Sequence, residues 1–291
     1  EADQKNQGDQ GDQADQSDPE ADQKNQNDQK NQNKDSEDAD AGIMTYEAPA
    51  PTTLTSAVAA VISKVVKIIN NVAGAENALN ITLDNATIKS DSDDWDDAVM
   101  KISGEGDVNI ELNGSNVLTS GECHAGLEKN DKDSKGRLTI RDDLKNDGTA
   151  KTGEEKKAEE DAVAADKSGD AVKDVGSLTA TGGSDGGAGI GGGANGYYHA
   201  KDTSSIVING GKITATGGEG AAGIGGGYWG DGGKVNKKDP DDRSQTITIN
   251  GGNIKATGIG GGAFSNNWGC TGAVTITGGH IQSKAQYGAG I

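Results

Sequence analysis

Aromatic residues are scarce in this chain, since only 3% of its 291 residues are Phe, Trp or Tyr. Globular cores of ordinary width depend on such large side chains, so the sequence argues against a wide core. Clustered basic residues are also missing, and the formal net charge is −19. The charge argues against nucleic acids and anionic membrane surfaces as partners. No uninterrupted apolar run is long enough to cross a bilayer, so membrane insertion is not expected either.

Glycine is abundant instead, with 47 residues, and much of it belongs to a repeat. One copy of the repeat is Ile206 to Gly227, which reads I-V-I-N-G-G-K-I-T-A-T-G-G-E-G-A-A-G-I-G-G-G. Its first two segments alternate apolar and polar residues, as short strands with one buried face do. The Asn209-Gly210-Gly211 segment between them marks a corner.

Six copies align in columns. The inward position before the corner holds Leu83, Leu112, Ile140, Ile208, Ile249 and Ile276. The next position holds Asp84, Asn113, Arg141, Asn209, Asn250 and Thr277. The position after that holds residues that tolerate positive φ, namely Asn85, Gly114, Asp142, Gly210, Gly251 and Gly278. We therefore expect the left-handed corner residue in this last column.

Two more columns follow the corner. The first is apolar and holds Ile88, Val117, Leu178, Ile213, Ile254 and Ile281. A third short segment contributes Met100, Leu127, Ile190, Ile224, Ile259 and Ile291. Three short strands in a period of under 30 residues predict an all-β fold, a right-handed parallel β-helix of about six turns.

The repeats occupy residues 80–291, and two segments of different character precede them. Residues 1–46 contain 13 acidic residues and 4 lysines and almost nothing apolar, which predicts a disordered acidic tether. Residues 54–73 place Val58, Val61, Ile62 and Val65 at helical spacing. We expect an amphipathic helix that caps the first turn, as solenoid ends require; a helix lying on a membrane surface is the lesser alternative.

A charged insertion, residues 143–175, interrupts the third repeat. It contains Thr152-Gly153-Glu154-Glu155, a pattern typical of a capping box before a short helix. We expect a mobile surface excursion. The chain stops midway through a glycine phrase at Ile291, from which we expect a C-terminal truncation. Cys123 and Cys270 fall four repeats apart, too far for a disulfide.

The phrases I-T-L-D-N-A-T-I at Ile81, D-V-N-I-E-L-N-G-S-N at Asp107, G-A-G-I-G-G-G and I-T-I-N-G-G carry a family resemblance. They resemble a clostridial carbohydrate-binding parallel β-helix family of Gram-positive secreted and surface proteins, related in fold to polysaccharide lyases. The resemblance covers about residues 80–291 and implies polysaccharide binding, calcium as a cofactor, and a secreted or surface-attached location in a Gram-positive bacterium. It assigns no ligand residues here.

Six of the nine aromatic residues fall shortly after the G-I-G-G-G phrases of successive repeats. They are Tyr197, Tyr198, Tyr228, Trp229, Phe264 and Trp268. On a solenoid such positions could form a ladder along one side, and exposed rings pack against the C–H faces of sugars. We therefore predict a carbohydrate-binding platform. The alternative is that the rings cover glycine-rich loops and stack on each other.

A run of carboxylates offers hard oxygen ligands of the kind that calcium prefers. Its acidic members are Asp91, Asp93, Asp94, Asp96 and Asp97. The run lacks EF-hand spacing, so a calcium site and a solvated acidic loop both remain open.

Enzymatic function is the weaker alternative. The glycine phrases lack the G-K-[ST] and the helix of a phosphate loop, and a calcium-dependent lyase would need a basic residue beside the metal. Arg137, Arg141 and Arg243 have no evident place beside the acidic run, and His124, His199 and His280 lie in different repeats. We expect a non-catalytic module that binds polysaccharide, with contact to a host or cell-wall surface. The competing class is a structural stalk or adhesin segment.

Overall fold

The computed structural model describes most of the region from residue 66 onwards and the strand backbone before it. The described ranges are 44–47, 53–57 and 61–62 (backbone only), 66–90, 98–130, 135–145, 147–165, 175–194, 204–230, 246–263, 273–285 and 290–291. All of them belong to one compact unit, Ala41–Ile291. The predicted tether, residues 1–46, lies almost entirely outside the described residues.

Three sheets of seven strands contain nearly all the regular structure. Sheet A consists of β1 (Met44–Glu47), β4 (Val66–Ile69), β7 (Met100–Ser103), β10 (Leu127–Glu128), β13 (Ile190–Gly191), β16 (Ile224–Gly225) and β19 (Ile259–Gly260). Sheet B consists of β2 (Thr53–Ala57), β5 (Leu79–Asp84), β8 (Val108–Asn113), β11 (Leu138–Arg141), β14 (Ile206–Ile208), β17 (Ile247–Ile249) and β20 (Val274–Ile276). Sheet C consists of β3 (Val61–Ile62), β6 (Thr87–Lys89), β9 (Ser115–Thr119), β12 (Ser177–Thr181), β15 (Lys212–Thr216), β18 (Asn253–Ala256) and β21 (His280–Ser283).

The chain visits the sheets in the order A, B, C seven times, and each strand pairs in parallel with the strands of the adjacent turns. The molecule is therefore a parallel β-helix, as the repeat predicts. A short 3-10 helix (Ala75–Asn77) and one α-helix, α1 (Gly153–Ala165), complete the elements of the described residues.

The predicted capping helix at residues 54–73 is wrong. This segment forms β2, β3 and β4 and so contributes to an additional turn, which gives seven turns rather than six. β2 pairs with β5 in the spacing of the repeat, with Leu54 beside Ile81, 27 positions on. β-branched Val and Ile residues dominate the segment and favour strands, and the exposed edges of the next turn offer unpaired backbone partners.

The interior is a narrow file of aliphatic side chains, which explains how so few aromatic residues suffice. The predicted third-segment column is confirmed at its four middle positions, because Leu127, Ile190, Ile224 and Ile259 lie beside one another in sheet A. All four are at most 3% exposed. The last residue of the column, Ile291, belongs to no strand and is 60% exposed.

The predicted column in sheet B is shifted by two residues in its first two rows. Ile140 pairs with Ile110 rather than with Leu112, and the file continues as Ile81, Ile110, Ile140, Ile208, Ile249 and Ile276. Leu83 and Leu112 stack on each other two positions further on. A shift of two residues keeps every side chain on the same face of the strand. The longer strands β5 and β8 therefore extend the backbone pairing of sheet B while their inward side chains stay in the core.

The predicted column after the corner is wrong at Val117 and shifted by two residues at Ile88. Leu178 pairs with Asn116, and Leu118, which is fully buried, pairs with Ile88 and Ala180. Asn116 is 1% exposed and forms three hydrogen bonds. Its Nδ2 donates to the carbonyls of Asn113 and Ser177, and its Oδ1 accepts from the Ala86 N–H. A buried asparagine thus replaces an aliphatic side chain because the local backbone supplies all its partners.

The left-handed corner residue was also misplaced in the later turns. Asn85 and Gly114 have positive φ, as predicted, but from the fifth turn the positive φ falls on the second glycine of each pair, at Gly211, Gly252 and Gly279. The side chains ahead of these corners form an outer ladder. Asn250 Nδ2 donates to Asn209 Oδ1 at 3.0 Å, and Thr277 Oγ1 donates to Asn250 Oδ1 at 2.7 Å.

The insertion contains a helix that lies along the corner between sheets B and C. The predicted capping box is confirmed, since Thr152 N donates to Glu155 Oε2 at 2.8 Å and Glu155 N donates to Thr152 Oγ1 at 3.2 Å. Further along α1, the Glu160 carboxylate accepts from the Gly252 N–H, and Asp161 Oδ1 lies 3.3 Å from His280 Nε2. The insertion leaves the fourth turn and is anchored on the sixth and seventh.

Candidate functional site: the outer face of sheet C

The outer face of sheet C is a flat polar surface built by strict alternation. In β12 and β15 the aliphatic residues Leu178, Ala180, Ile213 and Ala215 point inward, so the intervening residues point outward. Parallel pairing in register places the outward residues of successive turns side by side, about 4.7–4.9 Å apart. Fifteen outward side chains from six strands form this surface, which we call the C face. They are Thr87, Lys89, Ser115, Val117, Thr119, Ser177, Thr179, Thr181, Lys212, Thr214, Thr216, Asn253, Lys255, His280 and Gln282.

Regular rows cross the C face along the solenoid axis. The pairing of the strands gives one row of Thr179, Thr214, Lys255 and Gln282, and a second row of Ser177, Lys212, Asn253 and His280. Eight of the fifteen side chains carry hydroxyls and most of the others carry amide, imidazole or ammonium groups. The surface therefore offers repeated hydrogen-bonding groups at one spacing to any polymer that lies along it.

The charge of the C face differs from that of the chain. None of its fifteen side chains is a carboxylate, and three are lysines, whereas the chain carries 46 acidic residues against 27 basic ones. Sheet B differs, because its outward positions include Asp84 and Glu111. The strands of the C face carry no carboxylate, and the carboxylate of Asp161 in α1 lies 3.3 Å from His280 on the last of these strands.

Tyr228 follows β16 in the chain and lies against the loops that lead from sheet C to sheet A in two turns. Its backbone N–H donates to the Gly186 carbonyl at 2.8 Å. A Cβ built on Gly186 would come within 2.4 Å of Tyr228 Cβ, and one built on Gly220 within 2.3 Å of its ring. The ring therefore covers glycines of two successive turns, in the way that the alternative to the sugar platform expects.

Trp229 packs beside Tyr228, with ring centroids 5.7 Å apart and planes tilted by 37°. Both side chains are half-buried, and Trp229 has a positive φ of 65°. The other four predicted platform residues, Tyr197, Tyr198, Phe264 and Trp268, lie outside the described residues, so the platform as a whole stays a prediction.

The turns on either side do not repeat Tyr228. Ala194 N donates to the Cys123 carbonyl and Ala263 N to the Gly220 carbonyl, the same kind of bond that Tyr228 N makes with Gly186. Ala194 and Ala263 are thus its structural equivalents, and both are buried. An aromatic ladder would have to be built from the residues that follow these positions.

The predicted calcium residues Asp91, Asp93, Asp94, Asp96 and Asp97 lie in residues 91–97, which are outside the described residues. Within the part of the chain that the structure describes, no group of three or more His, Cys, Asp or Glu side chains is arranged to hold a metal ion. The calcium site remains a prediction that depends on the undescribed loop.

Two of the arginines considered for catalysis form ion pairs with carboxylates of the solenoid. Arg141 Nε lies 3.1 Å from Glu111 Oε2, beneath the start of the insertion, and Arg137 Nη2 lies 3.2 Å from Asp107 Oδ2. Cys123 is buried with a positive φ of 62°; Cys270 and Arg243 lie outside the described residues.

A buried polar cluster at sheet A was not anticipated from the sequence. His124 Nδ1 lies 2.8 Å from Glu128 Oε2, and Asn130 Nδ2 donates to Glu128 Oε1 at 2.6 Å. Lys129, which follows Glu128 in the chain, is fully buried and donates from Nζ to the Gly136 carbonyl at 2.5 Å. Burial lowers the pKa of Lys129 to about 7, although the charge of Asp107 opposes the shift.

A second buried cluster lies where the insertion leaves β11. Lys151 Nζ lies 2.8 Å from Asp142 Oδ1 and 3.0 Å from Glu159 Oε2. Burial raises the pKa of Asp142 to about 6, opposed by Lys151 and by the Gly176 N–H. Burial lowers the pKa of Lys151, but its bonds to Asp142 and Glu159 outweigh burial, so its pKa is raised overall.

In the sequence Asp142 stands out only as a corner residue, and Lys151 and Glu159 belong to no recognisable motif. Their grouping depends on how the insertion folds back, which no local pattern encodes. The cleft beside α1, lined by Asp142, Glu159, Glu160 and Asn209, encloses about 20 Å³, room for a water molecule but not for a sugar residue.

A family model described as a beta helix repeat matches residues 206–228, the stretch that contains β14, β15 and β16. No curated protein and no solved structure matches the chain. The family match agrees with the observed parallel β-helix and extends over one turn of it. No helix in the described part of the chain is both long enough and apolar enough to cross a membrane.

Proposed function

We propose that this chain is a non-catalytic, extracellular module that binds polysaccharide along the C face. The observation that carries the proposal is the set of in-register rows of hydroxyl, amide, imidazole and ammonium groups over the last four turns, without a carboxylate among them. A polysaccharide is a repeating polymer rich in hydroxyls, and it gains most from a surface whose donors and acceptors also repeat. Tyr228 and Trp229, which pack together beside the loops that lead from sheet C to sheet A, add apolar area for the C–H face of a sugar ring.

The resemblance of the repeat phrases to the clostridial carbohydrate-binding β-helix family supports the same ligand class. It also supports a secreted or surface-attached location in a Gram-positive bacterium, with the acidic tether holding the solenoid away from the surface. Calcium bound by Asp91, Asp93, Asp94, Asp96 and Asp97 belongs to the proposal. Its contribution is tested by comparing polysaccharide retention with calcium and with a chelator.

The non-catalytic part of the proposal is supported by the contacts of three of the basic residues considered for catalysis. Arg137 and Arg141 lie against carboxylates, and His124 is buried beside Glu128. A general base must reach its substrate within hydrogen-bonding distance, and these groups face other protein groups instead. Release of unsaturated products from pectate with calcium present would contradict this part.

Affinity electrophoresis in gels that contain neutral or acidic polysaccharides tests the C face directly. We expect the double variant Thr179→Glu and Thr214→Glu to lose retention, with at least about a tenfold rise in Kd, because it places two adjacent carboxylates in the middle of the face. The matched control is Thr248→Glu and Thr275→Glu, which makes the same change on adjacent outward positions of sheet B. Equal retention of the two variants would refute the C face as the binding surface.

A separate variant tests the contribution of Tyr228 and Trp229 to binding. Alanine is compatible with the fold at position 228, since Ala194 and Ala263 occupy the equivalent positions. Tyr228→Ala combined with Trp229→Ala is expected to weaken retention while the circular dichroism spectrum stays unchanged. Silence of the wild-type chain on a broad glycan array would favour the competing interpretation, a structural stalk or adhesin segment.

A further inference from the structure

Asp142, Lys151 and Glu159 form a compact buried group at the base of the insertion. The side chain of Lys151 is fully buried, that of Asp142 is 3% exposed and that of Glu159 is 20% exposed. The Lys151 ammonium touches both carboxylates, and Asp142 Oδ2 also accepts the Gly176 N–H at 3.1 Å. The three side chains come from three places, the end of β11, the residue before the capping box, and the middle of α1.

We propose that Lys151 and Asp142 become joined by an intramolecular isopeptide bond, which the folded protein forms by itself with Glu159 as the group that transfers protons. The proposal rests on geometry. An amine and a carboxyl group are held in hydrogen-bonding contact, a second carboxyl group lies 3.0 Å from the amine, and the side chains of the first two groups are at most 3% exposed. Fixing reactants in this way replaces a bimolecular encounter by a unimolecular step.

The reaction is a condensation in which all atoms balance. Proton transfer within the cluster first gives a neutral Lys151 amine and a neutral Asp142 carboxylic acid. The Nζ lone pair attacks Cγ of Asp142 and a new N–C bond forms. The π electrons of the C=O bond move onto the carbonyl oxygen, which becomes an oxyanion. Glu159 takes a proton from the nitrogen and delivers it to the departing hydroxyl, which leaves as water, and the product is a neutral amide.

Two further features favour this step. The Gly176 N–H points at Asp142 Oδ2, where negative charge develops in the tetrahedral intermediate, as in an oxyanion hole. Burial raises the pKa of Asp142 to about 6, so a fraction of this carboxyl group is neutral near that pH. The raised pKa of Lys151 acts in the other direction and makes the neutral pair the minor form, so we expect bond formation to be slow maturation rather than instantaneous.

A neighbouring ion pair provides an internal control. Lys156 also contacts a carboxylate, that of Asp143, but their side chains are 37% and 33% exposed. Water stabilises the charged forms of an exposed pair and so suppresses condensation. The proposal therefore predicts one cross-link in this region, at the buried pair alone.

The decisive measurement is the intact mass of the purified full chain, followed over time near pH 6. We expect the wild-type mass to fall below the sequence mass by one water. Glu159→Gln preserves the shape of the side chain but removes proton transfer, and it should keep the full mass. Lys151→Arg keeps the positive charge and cannot condense, whereas Lys156→Arg should lose water like the wild type.

Peptide mapping locates the bond. Trypsin should release residues 142–145 still attached to residues 146–156, because cleavage after Lys145 separates the chains while the isopeptide bond holds them together. A succinimide at Asp142 also loses water but would not join these two peptides. An unchanged wild-type mass, a water loss that survives in Lys151→Arg, or water loss without the branched peptide would each overturn the proposal.

Discussion

Replacing Lys129 with Met should change how the stability of the fold depends on pH. Lys129 is fully buried after β10 and donates to the Gly136 carbonyl at 2.5 Å. Burial lowers its pKa to about 7, whereas a lysine of the unfolded chain titrates near pH 10.4. The native state thus releases a proton that the unfolded state still holds between these two pH values.

The sign and size follow from proton linkage. Where the unfolded state binds more protons, the free energy of unfolding rises with pH, here by up to about 1.4 kcal/mol per pH unit for one group. Over the interval from about pH 7 to about pH 10.4 the wild type should gain about 5 kcal/mol from this residue. Below pH 7 both states bind the proton, so the contribution of Lys129 to the slope vanishes. Lys129→Met removes the contribution at every pH.

The assay is urea unfolding of the wild type and Lys129→Met at several pH values between 6 and 9.5. All other titrating groups are shared, so the difference between the two free energies of unfolding isolates Lys129. Loss of the bond to Gly136 adds a constant offset of about 1 kcal/mol, which does not affect the slope. Lys255→Met, an exposed change on β18, is the control and should show a flat difference. A flat difference for Lys129→Met as well would refute the buried, neutral lysine.

Two further substitutions test the stacking of the turns. Gly225→Ala should cost more than about 4 kcal/mol and prevent folding, because Gly225 has φ +135° and an added Cβ would lie 1.9 Å from the Gly260 carbonyl oxygen. The control is Gly210→Ala, whose added Cβ would have its nearest contact 3.5 Å away. Thermal melts of the two variants that coincide would contradict the close approach at Gly225. Asn116→Ala should lower the free energy of unfolding in urea by at least about 2 kcal/mol, because it leaves buried backbone groups of Ala86, Asn113 and Ser177 without their hydrogen-bond partner. The control, Asn109→Ala on the outer side of sheet B, should change stability by about 0.5 kcal/mol or less. Equal costs would contradict the internal role of Asn116.

The repeat could be predicted from the sequence because strand alternation and glycine corners are local signals. The rows from Ile206 onwards, which are near-identical copies, gave the correct register. The errors in register fall where copies diverge, at the longer strands β5 and β8 and at Asn116, where a polar residue takes an inward position. An alignment of columns by hydrophobicity places Val117 inward, because it cannot see that the Ala86 N–H and two carbonyls satisfy the asparagine.

The N-terminal error has a different cause. Val58, Val61, Ile62 and Val65 fit helical spacing as well as they fit two short strands, and periodicity alone does not separate the two for short apolar runs. Pairing with the next turn decides the matter, since Val61 and Ile62 align with Thr87 and Ile88. The C face was equally hard to foresee, because its composition becomes visible only when the register of six strands is known.

The insertion shows how a segment without a hydrophobic face can still be fixed to a solenoid. Turns of a solenoid contact only their neighbours, so stability is ordinarily a sum of nearest-neighbour terms. The insertion begins in the fourth turn, and Glu111 Oε1 of the third turn accepts the N–H groups of Asp143 and Leu144. It then reaches the sixth turn through Glu160 and Gly252 and the seventh through Asp161 and His280. These contacts couple turns that do not otherwise touch, and the buried Asp142–Lys151 pair holds the base from which the helix spans them. Because polar contacts replace apolar burial along this route, a covalent bond at its base would stabilise the insertion where the solenoid core cannot.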